Sequence, residues 1–353
     1  MGKKVYLIVY DRDLNHLGVI DNFSSLRWRR KYFEAGEFEL NVASSPNNRR
    51  FLAKDNILVR SDLTGNDEFG IIESWKEKDD GQKITISIYG SFGLSLLQRR
   101  IIKTRINYHG NYIGGFRKLL TAMRPFKNLD IIDSEIESKP VEYQCTYKNV
   151  YNYHKKLSIA SNIAGKIVLD LKNKRYKYMN YEGKDRTENQ KINTRYEFSE
   201  NQSNISSAEH TYSSSNEITD VLVGGVGEGS QRILREVTKV TNETHDFDIK
   251  EFFLDAKGET NEGISLEEYT AILDSLGNEK LAVPSESFEF KVRSIDYREN
   301  WDLGDIVNIK KESWNIYEKK RITEVEEVFE RGKYEVIPTY GMPISESLDY
   351  EED

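Results

Sequence analysis

The chain has 353 residues, with 51 Lys and Arg against 59 Asp and Glu, a net charge of −8, one cysteine, 21 Tyr, 15 Phe and 4 Trp. That length suits two or three domains, the aromatic load argues against a disordered chain, and a lone cysteine excludes an intramolecular disulfide framework and suits a reducing cytoplasm. The acidic balance argues against general nucleic-acid binding, and no run approaches the roughly 18 apolar residues of a membrane helix, so a soluble protein without a membrane span is expected.

Residues 1–105 read as β-rich. The apolar run Val5–Tyr10 ends in charge and is shorter than a signal-peptide core, so it is predicted to be the first strand. Strands follow at Gly18–Ile20, Leu26–Trp28, Phe38–Val42, Ile57–Arg60, Phe69–Trp75 and Lys83–Tyr89, separated by turn residues such as Pro46-Asn47-Asn48, Thr64-Gly65-Asn66 and Asp79-Asp80-Gly81. Short strands at this spacing predict a small barrel or sandwich. A short helix is expected at Ser91–Arg100.

Residues 106–185 change character and predict a small α+β domain. Tyr112–Phe126 and Asn149–Ala164 carry apolar residues at helical spacing, the second stopping at Gly165, and Lys166–Leu171 with Arg175–Asn180 predicts a hairpin. From 186 to 344 the reading returns to β. Asn201–Asn216, rich in Ser and Asn, reads as linker or as solvent-facing strand. Strands are predicted at Glu217–Gly224, Arg232–Val240, Ser287–Ile295, Ile306–Lys310, Lys319–Phe329 and Lys333–Thr339. They are interrupted by a helical insertion near 265–276, where Ser265 and Glu268 form a capping box. The acidic tail 345–353 lacks an apolar anchor and is expected to fray.

One pattern spans the chain. Ile71–Gly90 recurs without a gap as Ile322–Gly341, with Ile71, Glu73, Gly81, Ile86, Tyr89 and Gly90 matched by Ile322, Glu324, Gly332, Ile337, Tyr340 and Gly341. Upstream, after a one-residue slip, Asp55, Ile57, Val59 and Arg60 match Asp305, Val307, Ile309 and Lys310. Both copies read as strand, turn, strand, and a module repeated at both ends of a chain predicts a duplicated β domain suited to assembly.

Residues that could carry chemistry do not assemble into a motif. Gly224–Gly229 lacks the Lys and Ser/Thr of a phosphate-binding loop and leads into a strand, so it reads as a turn. Asp11, Asp13 and Asn15 begin like a calcium loop, but His16 and Asn22 stand where Gly and a bidentate Glu are needed. His16, His109, His154, His210 and His245 fall in no ligand spacing, and Cys145 reads as a buried thiol. The basic clusters Arg27–Lys31 and Gln98–Arg105 could contact phosphate or stack on bases, but read as a solvated strand face or a subunit contact. Trp301, in Tyr297–Gly304, reads as domain closure, with a sugar platform as the alternative. No catalytic, cofactor-binding or metal-ligating residue is assigned, and no cofactor is expected.

Tyr10-Asp11, Gly18-Val19-Ile20, Ser25, Trp28, Tyr32, Gly36, Phe38-Glu39-Leu40, Gly70-Ile71-Ile72-Glu73 and Tyr89-Gly90 form an ordered set, closed by Tyr297–Asp305 and Arg321–Gly341. In this order they resemble the tail hub (baseplate hub) family of bacteriophages and contractile phage-tail-like particles, over about residues 1–341. The resemblance implies a mainly β fold with α+β insertions, built from two tube-like β-barrel domains and a smaller α+β domain. It implies a homotrimer at the distal end of a tail tube, matching sixfold tube symmetry to a threefold spike or fibre. Implied partners are the tail tube or distal tail protein, the spike or tail fibre, the tape measure protein and other baseplate subunits. Synthesis would take place in the host cytoplasm, and the short length favours a contractile particle. Sequence-specific nucleic-acid binding is not implied, although DNA would pass through a lumen whose carboxylates repel phosphate. Any host-binding or wall-degrading activity would then sit on another protein. A tail-associated cell-wall glycosidase and a carbohydrate-binding receptor module are the rival readings.

Overall fold

The computed structural model describes residues 5–63, 67–259, 261 and 263–341. The predicted turn at Thr64-Gly65-Asn66 and the tail 345–353 lie outside the described residues. The chain forms two units, a larger one running to Glu209 and again from Glu289 to Gly341, and a smaller one from His210 to Phe288.

The larger unit opens with β1 (Leu7–Tyr10), β2 (His16–Ile20), β3 (Ser25–Lys31), β4 (Glu37–Ala43), a single-turn helix α1 (Pro46–Arg49), β5 (Ile57–Arg60), β6 (Gly70–Asp79) and β7 (Ile84–Phe92). Alternation sets the faces: Leu26, Trp28 and Arg30 of β3 and Phe38, Leu40 and Val42 of β4 point inward, while Arg27, Arg29, Glu37 and Glu39 point outward. Trp28 is fully buried, 4.5 Å from the Phe92 ring. Ser91 and Phe92 still pair in the sheet, so the helix expected at Ser91–Arg100 begins later and is a 3₁₀ helix, Gly93–Arg99.

The α+β part comprises β8 (Ile106–Asn111), α2 (Tyr112–Ala122), β9 (Leu129–Ile131), β10 (Pro140–Cys145), α3 (Val150–Ser161), β11 (Ala164–Asp170) and β12 (Arg175–Tyr181). Asn111 and Asn149 cap the two helices by accepting backbone N–H groups. Helix α3 ends at Asn162, which adopts the left-handed conformation (φ 61°), and not at Gly165 as its glycine suggests. Gly165 lies inside β11, where a Cβ would stand 2.4 Å from His154 Nε2. Phe116, Leu119, Leu120, Val150, Leu157 and Ile167 form the core here.

The chain continues through β13 (Glu197–Ser199) and β14 (Ile205–Ser213), so the Ser/Asn-rich segment is largely strand. The smaller unit then contributes β15 (Asp220–Gly224), β16 (Leu234–Thr238), β17 (Glu251–Asp255) and α4 (Leu266–Lys280). Strand β15 is central, antiparallel to β16 and parallel to β17, and α4 begins with the predicted Ser265–Glu268 capping box. Val221, Val223, Tyr269 and Leu273 are the core of this unit. The chain returns through β18 (Ser285–Val292) to β19 (Ile306–Lys311), β20 (Ile316–Glu330) and β21 (Lys333–Gly341).

The fold is mainly β with α+β insertions. Its main element is a 13-stranded sheet in the order β14-β18-β21-β20-β3-β4-β7-β6-β5-β1-β2, with β13 and β19 attached through β20. Within it one meander occurs twice: β5, β6 and β7 are consecutive antiparallel neighbours, as are β19, β20 and β21. Each hairpin carries a single bulge near the end of its pairing away from the turn, at Glu73 and at Thr323.

The pairing corrects the sequence match by one residue. Ile72 opposes Gly90 before the first bulge and Ile322 opposes Tyr340 before the second, so Ile72 corresponds to Ile322 and Gly90 to Tyr340. Ile86 then corresponds to Val336, both fully buried, and not to the half-buried Ile337. A one-residue slip exchanges sheet faces, so the buried pair identifies the structural equivalents.

Candidate functional site

The second meander joins the rest of the sheet at a seam where β20 pairs with β3, from Glu324 opposite Lys31 to Glu330 opposite Ser25, and β3 and β4 stand between it and the first meander. On the inward side of this seam Glu327, fully buried, stands opposite Trp28. Its carboxylate lies 2.8 and 2.9 Å from the two terminal nitrogens of Arg60, accepts a 2.8 Å hydrogen bond from the Tyr334 hydroxyl, and has Arg298 Nη2 3.5 Å away. The Arg60 guanidinium also pairs with Asp62 and lies over the Phe329 ring at 4.8 Å. Burial by itself would raise the Glu327 pKa; the Arg60 charge and hydrogen bond outweigh it, with Arg298 assisting, and hold the carboxyl below its usual range.

A second buried guanidinium extends this network. Arg30 lies 2.6 Å from Asp302, 2.8 Å from the Tyr297 hydroxyl and 3.5 Å from Glu68, while Arg298 reaches Asp67 at 2.6 Å. Glu68 differs from Glu327: burial pushes its pKa up, and Arg30 and Lys166 offset only part of that cost. Arg30, Arg60, Asp67 and Glu68 come from the first part of the chain; Tyr297, Arg298, Asp302 and Glu327 come from the last. The network ties the two ends of the chain with groups that cannot be left buried alone.

The outward face of the same sheet is polar. Arg29 sits between Glu37 and Glu326, each 3.1 Å away, and Arg27 lies 3.6 Å from Glu326. Towards β21 carboxylates predominate. Burial raises the Glu324 pKa, and burial with the charges of Glu209 and Glu326 raises that of Glu289. Charge on this face is concentrated on β3, β4 and β20, and towards Glu289 of β18 it is mostly carboxylate.

The residues weighed in the sequence do not converge. Trp28 and Trp301 are buried, so neither is a platform for a base or a sugar; Trp301 packs on Tyr297 and Phe198 at 4.9 and 5.2 Å. Arg27 and Arg29 form the solvated strand face. Asp11 accepts from the backbone N–H groups of Asp13 and Asn15, closing the turn after β1. Gly227 and Gly229, both at positive φ, turn the chain from β15 towards β16. His154 is buried at 2.7 Å from the Tyr178 hydroxyl, and burial lowers its pKa to about 3; His109 and His210 pair with Glu142 and Glu286. Cys145 is buried. Among the described residues no three His, Cys, Asp or Glu are grouped to hold a metal ion, and no helix is long and apolar enough to cross a membrane. The network of Arg60 and Glu327 was not foreseen; its only sequence signal is a charge at an inward position of each strand.

No curated protein matches this chain. Three solved structures share its fold over nearly their full lengths. The tail protein from Neisseria meningitidis MC58 aligns at 11% identity over 96% of this chain and 97% of its own, with a TM-score of 0.57. The 43 kDa tail protein of prophage MuSo2 from Shewanella oneidensis aligns at 12% identity over 96% and 98%, with a TM-score of 0.56. Prophage tail protein gp18 from Listeria monocytogenes EGD-e aligns at 15% identity over 96% and 94%, with a TM-score of 0.50. The model of the Siphovirus ReqiPepy6 Gp37-like protein family matches residues 6–342. The chain therefore belongs to the Siphovirus ReqiPepy6 Gp37-like protein family.

Proposed function

We propose that this tail protein is the structural hub at the distal end of the tail tube, assembled as a homotrimer and without catalytic activity. The observation that carries the reading is the meander that occurs twice in one sheet. Three copies of a chain with two equivalent modules present six similar modules to a sixfold tube, while the true threefold symmetry suits a spike or fibre. In this reading residues 1–105 and 186–344 are the two tube-like barrel domains, the second interrupted by the smaller unit, with 106–185 as the α+β domain and 345–353 as an acidic tail. The tube or distal tail protein, the spike or fibre, the tape measure protein and other baseplate subunits are its neighbours. Its place of synthesis is the host cytoplasm. The polar sheet face, with Glu209, Glu289, Glu324 and Glu326, is assigned to the lumen, where carboxylates keep DNA phosphate from adhering.

Native mass tests the stoichiometry. Three copies of the 41.1 kDa chain weigh 123.3 kDa. That mass, alone or with the tube protein present, is expected; a monomer or dimer under both conditions would refute the trimer.

A further inference from the structure

Charge is distributed unevenly along the chain. Residues 81–129 contain nine Lys and Arg and no Asp or Glu, whereas His210–Phe288 contains six basic residues against 16 acidic ones, a net of −10.

The basic stretch forms a patch in the larger unit where three loops meet. Ile102 donates its backbone N–H to Lys148, Val150 donates to Arg100, and the Arg100 side chain donates to the Arg124 carbonyl while stacking 3.7 Å from the Phe126 ring centroid. Burial and the neighbouring Arg124 and Arg99 charges lower the Arg100 pKa, the mark of crowded cations. Lys103, Arg124, Lys127 and Lys148 are exposed. Among the described residues none of these four has a carboxylate within ion-pair distance. Two apolar side chains are exposed among them, Ile101 at 47% and Tyr147 at 75%.

The smaller unit carries the complementary chemistry. Helix α4 covers the Val221 and Val223 side of its sheet; on the other side the Arg232 guanidinium, paired with Asp255, lies 5.2 Å from the Phe253 ring centroid and the rest of the face is largely exposed. There Leu222 lies between Glu236 on β16 and Phe253 on β17, Leu234 follows two residues before Glu236, and Asp220 pairs with Glu251. Leu222, Phe253 and Leu234 are 40, 49 and 50% exposed. Three apolar side chains are thus framed by Asp220, Glu236 and Glu251, with the Arg232–Asp255 ion pair at the Phe253 edge.

We infer that the exposed sheet face of the smaller unit docks on the basic patch of a second copy of this chain, apolar side chains meeting apolar and carboxylates meeting Lys and Arg. Both halves of the contact are exposed on one sequence and opposite in charge, so each copy offers what the next requires. A contact between two different surfaces is heterologous and closes into a ring if its rotation allows. Exposed opposite charges speed encounter and select the partner, while the apolar centre holds the contact. The inference rests on the proposed hub only in requiring that copies of the chain meet.

The test is sedimentation of the full chain at low and at about 0.5 M salt, where surface attraction is screened. Two exposed pairs are reversed, Lys103→Glu with Arg124→Glu, and Glu236→Lys with Glu251→Lys, with circular dichroism confirming that each variant folds. Each pair alone should weaken self-association by about tenfold or more at low salt, and all four changes in one chain should restore it. Association equal to wild type in both pairs, a wild type that does not associate, or no recovery in the fourfold variant would overturn the contact. So would a basic-patch reversal that abolishes duplex DNA binding while association is unchanged, since the patch would then serve phosphate. The number of copies is read separately: a dimer that obeys the charge reversal refutes the threefold hub and leaves the contact standing.

Discussion

The two hairpins, β6–β7 and β20–β21, share one pairing register and one bulge yet live in opposite surroundings. Ser74–Asp79 of β6 is exposed throughout, whereas the equivalent part of β20 is largely buried. The clearest contrast is at one position: Glu77 corresponds to Glu327. Glu77 pairs with Arg49 and Ser44 at the surface, while Glu327 is sealed against Arg60 beneath the seam. Gly90 likewise corresponds to Tyr340. A Cβ at Gly90 would fall 1.8 Å from the Ile71 carbonyl oxygen, but Tyr340 fills its site with a ring against Phe198 and Phe290. One backbone pattern thus leaves the first strand of its hairpin exposed in the first copy and makes that strand the joint of the sheet in the second.

The largest expected effect breaks the buried side. Arg60→Met takes from Glu327 its nearest cation, leaving only Arg298 at 3.5 Å and the Tyr334 hydroxyl, and should cost about 3–5 kcal/mol in chemical denaturation, whereas Arg60→Met with Glu327→Leu should recover most of that loss. If the single variant is as stable as wild type, the buried pair is not what distinguishes the second hairpin.

Acid titration separates buried groups by pH. The folded-state pKa of His154 is lowered to about 3 from 6.5, so its contribution is complete above pH 6.5 and is lost as pH falls towards 3, at up to about 1.4 kcal/mol per pH unit. Glu327, also lowered, withdraws its contribution only below the ordinary carboxylate value of 4.5. Glu68, raised by burial, acts in the opposite sense and loses stability as pH rises through its folded value. His154→Gln should flatten the stability curve at pH 5–6 and leave the Glu327 limb below; an unchanged slope there would show that His154 is not the proton acceptor.

Gly90→Ala should cost about 1–3 kcal/mol, because the new methyl has no room against the Ile71 carbonyl. Equal thermal stability of the variant and wild type would mean that the hairpin can part at that point. The smallest effect belongs to the exposed side: Glu77→Gln should leave the melting temperature unchanged within error, and a clear drop would remove the contrast with Glu327.

Alternation made most strands of the main sheet legible in the sequence, and the capping box located α4. The register of the repeat was not legible, for a reason visible in the turns. Gly81 and Gly332 both take positive φ, so they align by chemistry, but the first hairpin spans four residues between Asp79 and Ile84 while the second turns through Arg331-Gly332 alone. Matching the glycines moves the strands by one residue. Helix α3 ended three residues before its glycine because Asn162 also tolerates the left-handed conformation. Strand β17 was missed because Glu251–Asp255 is supported by parallel pairing to β15, a contact with no local signal. The buried network was hidden for a related reason: a charge at the end of β5 and another in β20 give no sign of each other until the strands that carry them are brought together.

In the proposed hub the doubled meander is the device that matches the two symmetries. A map of the tail tip at side-chain detail tests it most directly. Three copies around the axis at the distal end of the tube are predicted, with both hairpins of each copy meeting tube subunits and Glu324 and Glu326 towards the lumen. Six copies in the ring, or only one hairpin of each copy against the tube, would contradict it.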